Sequence, residues 1–383
     1  MQRRVLMTGA TGILGGWILC ELLEHGYAPA VIMRDASRED AQMRIRKILA
    51  LVGTKVPPET IKIYHGDVSK PHLGLEQSEV AELRHNIDAF IHCAASVSFD
   101  PRQEKEIHNT NVKGTVNVLG FLEDTLTPLY HVSTAYVAGS RQDVCYENEL
   151  EHNQDFKNAY ERSKFESEKI VQQAFATGKC RGAIFRPSII VGASSGGRIA
   201  QFLNFYGFLK VMEAARTGRI PCNGILRVVF PPNCTKNIVP VDWTANAFMK
   251  IMEREGASNN VYHLTHPNPV THEMLIEWAN TRLNPHGIVL ESVEELGRDS
   301  TIVERLGNVS LLHYRPYLSD EPIFDRCNTD RALNGSAPFP ETGHKFFDLL
   351  YEYAREHGWQ DIYSSPLYQL EDSVDDLEAR LTR

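Results

Sequence analysis

A tyrosine and a lysine four positions apart, Tyr160 and Lys164, are the side chains of this sequence best suited to acid catalysis. They fall in a segment of helical period, and residues four apart share one face of a helix, so the phenol and the ammonium point the same way. A neighbouring ammonium favours the phenolate and lowers the pKa of the phenol, which makes the phenol a competent proton donor to a developing alkoxide. The spacing alone is common in proteins, so its meaning depends on the elements that position it.

The first of those elements is a glycine-rich stretch at the start of the chain. A short apolar run, Val5–Met7, is followed by three glycines and then by an apolar segment of helical period, which predicts a strand, a tight turn and a helix. Such a loop holds a dinucleotide because backbone N–H groups approach the pyrophosphate at the positive end of the helix. The predicted cofactor-binding residues of this loop are Gly9, Thr11, Gly12, Ile13, Leu14 and Gly15. A βα turn with a purely structural role is the alternative.

The residue at the end of the second apolar run decides which dinucleotide fits. The run Ala30–Met33 ends at Arg34, whose guanidinium offers a donor fork to a 2′-phosphate, whereas an acidic residue there would bind the ribose of NAD. The sequence therefore predicts NADPH. If the adjacent Asp35 faced the ribose instead, the preference would invert. Arg44, on a following polar helix, is the candidate for a second charge near the phosphate, although a basic run of this kind is usually a solvated face.

Two further strands end in residues that suit a cofactor. Asp67 and Val68 close a third strand, and Asp67 lies where an adenine amino group would be bound. Ala94 and Ala95 close a fourth strand, and their small side chains leave room for the cofactor against the backbone. All four are predicted to bind the cofactor.

A fifth strand, Leu129–Val132, delivers Ser133 and Thr134 at its end, which is where open α/β sheets place their ligands. A sixth strand is interrupted by Pro187, so we expect the chain to bend there and Pro187 and Ser188 to line the cofactor cleft.

Asn111 is a polar residue among apolar helical neighbours, and a buried asparagine must be hydrogen-bonded. It is either a catalytic residue or a group that stabilises a helix distortion.

Composition narrows the class of protein. Hydrophobic residues make up 42% and charged residues 23%, which is typical of a soluble globular chain. The net charge of −9 argues against a dedicated nucleic-acid binder or a binder of anionic membranes. Seven cysteines without a CxxC pair suggest neither a disulfide framework nor a metal site, and they favour a reduced, cytoplasmic setting. No apolar run of about 18 residues occurs, so no membrane span is expected.

The order of elements predicts an α/β protein, a Rossmann-type doubly wound parallel sheet with a smaller, mostly helical C-terminal substrate lobe. Residues 1–192 form the expected NADP-binding domain, completed by about 235–265, and 193–234 with 266–383 form the substrate-binding lobe. Within that lobe an aromatic helical stretch, Ile199–Thr217, either lines an apolar substrate pocket or packs a core. After about residue 265 the pattern is irregular until the amphipathic segment Lys345–Glu356.

Several short motifs, taken in order, resemble the extended short-chain dehydrogenase/reductases. The motifs are TGATGILG at 8–15, HCAA at 92–95, the Ser133-Thr134 strand end, YERSK at 160–164, RPSIIVG at 186–192 and IVPVD at 238–242. Within that superfamily the motifs AASVSFD at 94–100 and NAYERSK at 158–164 are similar to those of the branch that contains fatty acyl-CoA reductases and terminal thioester reductase domains. The resemblance covers roughly the first 265 residues.

The resemblance implies that Thr134, Tyr160 and Lys164 are a catalytic triad, with Asn111 a fourth member in a proton relay. It implies NADPH held by the glycine loop, Arg34 and Asp67, with Lys164 on the nicotinamide ribose. The implied reaction is hydride transfer to an acyl thioester, acyl-CoA or acyl-carrier protein, which gives an aldehyde and, after a second hydride, an alcohol.

Two alternatives stay open for the function. The same catalytic residues serve an alcohol or ketone oxidoreductase or a nucleotide-sugar epimerase. The second alternative is a non-catalytic NADP sensor with the same fold. The expected partner is a small-molecule or carrier-bound acyl substrate, and no nucleic acid is expected.

Overall fold

The structure is a computed structural model that describes residues 2–34, 38–219, 224–302, 304–305, 317 and 321–363. Asp35, the alternative to Arg34 at the ribose, lies outside the described residues. So does the last part of the predicted substrate lobe, residues 364–383.

Fifteen strands occur in the described part of the chain. In order they are β1 Arg4–Thr8, β2 Ala28–Met33, β3 Lys62–His65, β4 Ala89–His92, β5 Leu129–Val132, β6 Val144–Cys145, β7 Gly182–Pro187, β8 Ile189–Val191, β9 Gly224–Val229, β10 Thr235–Lys236, β11 Ile238–Pro240, β12 Val261–Leu264, β13 Val270–Thr271, β14 Ile288–Val293 and β15 Ile323–Phe324.

The α-helices of the same residues alternate with these strands. They are α1 Ile13–Glu24, α2 Arg38–Val52, α3 Gln77–Asn86, α4 Glu104–His108, α5 Gly114–Leu122, α6 Ala159–Ala176, α7 Phe205–Arg216, α8 Val241–Glu255, α9 His272–Leu283, α10 Cys327–Leu333 and α11 His344–Glu356. A π-helical turn, Asn109–Lys113, joins α4 to α5.

Seven strands form one parallel sheet in the order β12-β7-β5-β4-β1-β2-β3. The central strand β1 is apolar and almost wholly buried from Val5 to Thr8, as a strand covered on both faces must be. Strand order reverses between β1 and β4, and such switch points are where open sheets bind ligands. The predicted Rossmann-type doubly wound sheet is therefore confirmed.

The expected bend at Pro187 is present as a strand break. Strand β7 ends at Pro187, Ser188 belongs to no strand, and β8 resumes at Ile189 outside the large sheet. Strand β8 pairs in parallel with β11, so the segment Ile238–Pro240 joins β8 and not the seven-stranded sheet. The motif RPSIIVG is thus split between two sheets.

The chain divides into two compact units. Unit 1 contains Met1–Ile199, Asn237–Pro269 and Glu321–Glu341, and unit 2 contains Ala200–Lys236, Val270–Asp320 and Thr342–Arg383. The sequence-based division places residues 321–341 in the substrate lobe, whereas in the structure they cluster with unit 1.

A buried carboxylate explains that difference. Glu147 accepts hydrogen bonds from the backbone N–H of His263 at 2.8 Å, from that of Asn328 and from the Thr329 hydroxyl at 2.7 Å. It therefore joins the first turn of α10 to strand β12, and both lie in unit 1.

Unit 2 contains helices α7, α9 and α11 and two small sheets, β9 with β14 and β10 with β13. The sequence pattern predicts α7 and α11 but gives no sign of α9 or β14. Aromatic packing holds this unit: His272 stacks on Phe230 with ring centroids 3.6 Å apart, and Trp278 packs edge-on against Phe347 at 5.7 Å. Of the two interpretations of the aromatic residues of α7, core packing therefore accounts for Phe205, whose ring centroid lies 6.3 Å from that of Phe347.

Across the described ranges, no helix combines the length and the apolar character needed to cross a bilayer.

Candidate active site

The glycine loop has the close contacts that require glycine. Gly9 has φ +75°, and a Cβ atom there would lie 2.5 Å from the backbone nitrogen of Ala94. A Cβ atom on Gly15 would lie 2.0 Å from the carbonyl oxygen of Gly9. Helix α1 begins after Gly12 without a side-chain cap or an acidic residue in its first turn. Because Gly12 has no side chain to cap the first N–H groups of the helix, the loop fits the pyrophosphate of a dinucleotide.

Two arginines predicted to face the cofactor come from β2 and α2. Arg34 is exposed directly after the carboxyl end of β2. Arg44 is half-buried on α2, and its Nη2 donates to the Thr11 hydroxyl of the glycine loop at 3.0 Å. Of the other predicted loop residues, Ile13 is partly exposed and Leu14 is buried. The structure thus brings Arg44 to the glycine loop and leaves Arg34 accessible to an anion.

The predicted adenine-site residues lie in a tightly bonded turn after β3. Asp67 Oδ1 accepts hydrogen bonds from the Ser69 backbone at 2.9 Å and the Ser69 hydroxyl at 2.8 Å. The Asp67 backbone N–H donates to the carbonyl oxygen of Leu73 at 2.7 Å, and Leu73 is left-handed with φ +63°. Val68 is buried, and its carbonyl oxygen accepts from Asn117 at 2.7 Å. These bonds fix the backbone on which Asp67 stands.

At the end of β4, Ala94 and Ala95 are partly exposed beside the glycine loop. The Ala94 N–H donates to the Thr8 hydroxyl at 3.3 Å, and Thr8 is also 2.8 Å from His92 Nδ1. Strands β1 and β4 are therefore linked by side chains at the switch point as well as by their backbone ladder.

Asn111 lies in the π-helical turn and is buried. Its Oδ1 accepts from the Ser96 N–H at 2.7 Å, and its Nδ2 donates to the Ser96 carbonyl at 3.0 Å and the Ser163 hydroxyl at 2.8 Å. Its backbone carbonyl accepts from Thr115 at 2.7 Å. Both amide hydrogens are thus engaged in holding the loop after β4 against α6. A relay role for Asn111 stays a prediction.

Helix α6 carries Tyr160 and Lys164 on one face, as predicted. Asn158 caps the helix by accepting from the Glu161 N–H at 3.0 Å. Lys164 is 3% exposed, and its Nζ donates to the carbonyl oxygen of Val132 at the end of β5, at 2.7 Å. Tyr160 is half-buried with its ring 6.1 Å from that of Phe99.

The electrostatics of this pair differ from the expectation. Burial raises the pKa of Tyr160 above its usual value, and a hydrogen bond with Thr134 opposes that shift. Burial lowers the pKa of Lys164 to about 8. The expected lowering of the Tyr160 pKa by the ammonium is therefore wrong for this geometry. Desolvation is the largest cause of the Tyr160 shift, Lys164 is not among the groups that move this pKa, and the Lys164 amine donates to the backbone carbonyl of Val132.

Thr134 follows β5 and contacts the end of β7. Its hydroxyl accepts from the Tyr136 N–H at 3.3 Å and is 3.4 Å from the carbonyl oxygen of Pro187, to which it donates. The neighbouring Ser188 hydroxyl is buried and has no hydrogen-bond partner among the described residues. A buried hydroxyl of this kind marks a place for a polar ligand group, as expected of a cofactor-lined cleft.

Sequence reasoning missed the groups that connect these elements. Ser133, Glu168 and Arg186 form a buried hydrogen-bonded set beneath the predicted catalytic residues. The available signal was an arginine inside an apolar strand, since a buried charge requires a partner. Glu168, one turn beyond Lys164 on α6, is the acid that pairs with Arg186. In the described part of the chain no three or more His, Cys, Asp or Glu side chains are grouped to hold a metal ion.

The parallel sheet, the glycine loop and the Tyr-Lys helix define an oxidoreductase of the extended short-chain dehydrogenase/reductase type. Residues 7–248 match the NAD-binding family described as male sterility protein, and the chain belongs to that family. Membership of that family supports a nicotinamide dinucleotide as the cofactor.

Among curated proteins, the nonribosomal peptide synthetase asaC of Aspergillus flavus is 27% identical over 76% of this chain and 29% of its own length. The L-2-aminoadipate reductase large subunit of Candida glabrata is 25% identical over 79% of this chain and 23% of its own. The chain therefore spans less than a third of these relatives.

Solved structures share the fold at low identity. The terminal R domain of the myxalamid PKS-NRPS pathway has a TM-score of 0.75 and 23% identity, over 94% of this chain and 92% of that one. The NAD-bound UDP-glucose-4-epimerase of Stenotrophomonas maltophila has a TM-score of 0.67 and 18% identity, over 93% and 99%.

Proposed function

We propose that the protein is an NADPH-dependent reductase that reduces an acyl thioester, carried by coenzyme A or by an acyl-carrier protein, to the aldehyde. The observation that carries the proposal is the convergence of Thr134, Tyr160 and Lys164 at the carboxyl ends of β5 and β7. Relatives whose names denote aminoadipate reductases and peptide synthetases support the thioester as substrate.

The reduced nicotinamide, when bound, supplies a hydride to the carbonyl carbon. The hydroxyls of Thr134 and Tyr160 then hold the carbonyl oxygen, where negative charge develops. Tyr160 gives its proton to that oxygen, and Lys164 is assigned to the nicotinamide ribose, as the resemblance implies. With a thioester the product of this step is a hemithioacetal. Its hydroxyl proton returns to the Tyr160 phenolate as the C–S bond breaks, so that the thiolate leaves and an aldehyde is released.

The preference for NADPH rests on two guanidinium groups. Arg34 stands exposed at the end of β2, and Arg44 reaches the glycine loop through Thr11. A guanidinium binds a phosphate through charge-assisted hydrogen bonds, which a 2′-hydroxyl cannot match. Asp67 takes the adenine end in this proposal. The assignment of substrate binding to unit 2 stays a prediction.

The test is consumption of NADPH with a panel of carbonyl substrates. Acyl-CoA and acyl-carrier thioesters should be turned over with stoichiometric release of thiol, and Tyr160→Phe should abolish that turnover. Loss of NADPH with simple ketones, but with no thioester, would contradict the thioester assignment.

A nucleotide-sugar epimerase is the second candidate, because UDP-glucose-4-epimerases of known structure share this fold over most of the chain. An epimerase regenerates its own NAD, so it would interconvert UDP-sugars without net change in the dinucleotide. Incubation with UDP-sugars and product analysis separates it from the reductase.

A further inference from the structure

A fully buried ion pair lies beneath the catalytic residues of unit 1. Arg186 donates to Glu168 Oε1 through Nε at 3.0 Å and through Nη2 at 2.6 Å, and the two side chains are 2% and 0% exposed. The remaining guanidinium donors reach the Glu149 carbonyl at 2.7 Å and His263 Nε2 at 3.0 Å. Because a guanidinium only donates, Nε2 of His263 accepts, and Nδ1 carries the hydrogen that it donates to the Asp325 carbonyl.

The second oxygen of the Glu168 carboxylate binds the residue that follows strand β5. Glu168 Oε2 accepts from the Ser133 hydroxyl at 2.5 Å, and Ser133 immediately precedes Thr134. On α6, Glu168 stands one turn beyond Lys164 and two turns beyond Tyr160. One carboxylate therefore connects the segment that carries Thr134 to the helix that carries the phenol and the ammonium.

Arg186 extends the connection to a third segment. It is followed by Pro187, whose carbonyl oxygen accepts from the Thr134 hydroxyl at 3.4 Å. Strand β5, helix α6 and the end of β7 are therefore joined through Glu168 and Arg186, although they are distant in sequence.

Stability alone is a poor reason for this arrangement. Replacing a buried ion pair by apolar residues of similar volume is often neutral or stabilising, because desolvation of two charges offsets their attraction. Orientation is a better reason, since a displacement of ~1 Å at a catalytic group costs about a hundredfold in rate. Thr134 and Tyr160 stand on different elements, so their separation depends on whatever fixes strand β5 against helix α6.

We propose that Glu168 is a positioning residue for the reduction, which, with Arg186 and Ser133, fixes Thr134 relative to Tyr160 and Lys164. The inference rests on the proposed function, in which those three groups act on the carbonyl. It adds that Glu168 has an electrostatic effect as well, because its carboxylate is a negative charge near Lys164.

The first test is Ser133→Ala, which removes the bond to Glu168 and leaves the ion pair intact. We expect kcat to fall by about ten- to a hundredfold, the loss that a small displacement of catalytic groups causes. The KM for substrate and the Kd for NADPH should stay within about twofold of wild type, because neither depends on this contact. Ser133→Thr, which keeps the hydroxyl, should restore most of kcat.

Gln172→Ala is the matched control. Gln172 donates to Glu168 Oε1 at 2.8 Å from the next turn of the same helix, and among the described residues this bond connects Glu168 to no other element. Its removal should leave kcat unchanged, although it takes one hydrogen bond from the same carboxylate.

The second test measures how the charge of the Lys164 amine depends on pH. The groups near that amine are Glu168 on its own helix, His92 and Cys93 at the end of β4, and His131 on β5. Burial lowers the pKa of Lys164 to about 8, while Cys93 and, to a smaller extent, the Glu168 carboxylate raise it. Glu168→Gln should therefore lower it further and move the alkaline limb of kcat to lower pH. Ser133→Ala, which changes no charge, should leave that limb in place.

The pKa of Lys164, read directly by NMR of its labelled Nζ in wild type and Glu168→Gln, does not depend on the choice of substrate. If wild type turned over no thioester but this pKa fell in the variant, the proposed function would fail while the electrostatic part of the inference stood. A Ser133→Ala enzyme with kcat within about twofold of an active wild type, together with an unmoved Lys164 pKa, would reduce Glu168 to a structural ion pair.

Discussion

The two halves of the candidate site are built by different means. The dinucleotide half, Gly9–Gly15 with Arg34, Arg44 and Asp67, relies on backbone geometry and on side chains that stay partly or fully exposed. The catalytic half, Thr134, Tyr160 and Lys164, is packed on buried charged groups that make bonds over 18 to 53 positions of sequence. A backbone site depends on local conformation, whereas a site of buried charges depends on every partner being present.

This difference has an electrostatic side. In the dinucleotide half, as proposed, an anion would be met by helix N–H groups and by the guanidinium groups of Arg34 and Arg44. In the catalytic half burial moves the pKa values of Tyr160 and Lys164 apart, upward for the phenol and downward for the amine. The catalytic half should therefore be the more sensitive of the two to single substitutions and to pH.

The largest effect is expected at Lys164. Lys164→Met keeps the length of the side chain but removes the ammonium, and we expect kcat to fall by about a thousandfold, as for loss of a group needed in proton transfer. Initial rates with saturating NADPH measure it. Lys169→Met is the control, since this lysine lies five residues on, exposed, in a surface ion pair with Glu151. Comparable losses in both variants would show that helix α6 is damaged and that the charge has no specific role.

Gly9→Ala is expected to have the next largest effect. A Cβ atom there meets the Ala94 backbone at 2.5 Å in a left-handed conformation, so the strain should cost ~1–3 kcal/mol and displace the loop that binds the dinucleotide. Gly26→Ala isolates the steric part, because Gly26 has φ +77° and no heavy atom within 4 Å of the added Cβ. Denaturation and NADPH titration of both variants should show a binding defect in Gly9→Ala alone. Equal defects would mean that backbone conformation, and not close approach, makes Gly9 necessary.

Arg34→Ala should change cofactor preference with little effect on stability. Loss of a charged hydrogen bond to the 2′-phosphate should weaken NADPH by about 1.5–3 kcal/mol and leave NADH nearly unaffected. Dissociation constants for the two dinucleotides measure this difference. Arg46→Ala serves for comparison, because Arg46 is exposed on α2 in an ion pair with Glu59. An equal weakening of NADPH and NADH would remove Arg34 from the 2′-phosphate.

The smallest effect concerns a buried histidine of β5 beneath the catalytic half. Both ring nitrogens of His131 are without a partner among the residues described, and burial holds its pKa well below the usual value. Below about pH 6.5 the unfolded chain binds a proton there that the folded chain does not, so stability falls by about 1.4 kcal/mol per pH unit as pH decreases. His131→Leu should remove that slope and be more stable than wild type at pH 5 in urea denaturation.

His92→Leu sharpens the comparison. His92 lies on β4 beside His131, and its ring nitrogens are bonded by Thr8 at 2.8 Å and by Thr115 at 3.3 Å. Its replacement removes one hydrogen bond from each of two buried hydroxyls, which keep only the Ala94 N–H and the Asn111 carbonyl, and should destabilise the protein by about 1–3 kcal/mol. If His131→Leu destabilised the protein as much, a partner for His131 would have to exist.

Much of the fold could be predicted because it follows from local pattern. Helices such as α6 and the strands of the large sheet have clear periodicity, and parallel strands with short crossovers form few topologies. Helix α9 and strand β14 were missed because their apolar residues face a core of distant aromatic rings and show weak periodicity. The placement of residues 321–341 with unit 1 was missed because Glu147, which holds them, is more than 180 positions from Thr329.

The sequence by itself determined the doubly wound parallel sheet, the glycine loop and the common helix face of Tyr160 and Lys164, because each depends on neighbours within a few turns of chain. Only the tertiary structure decided the direction of the Tyr160 pKa, the use of the Asn111 amide to hold Ser96, and the pairing of Glu168 with Arg186 and Ser133. Those properties depend on burial and on contacts between distant segments, and spacing along the chain encodes neither.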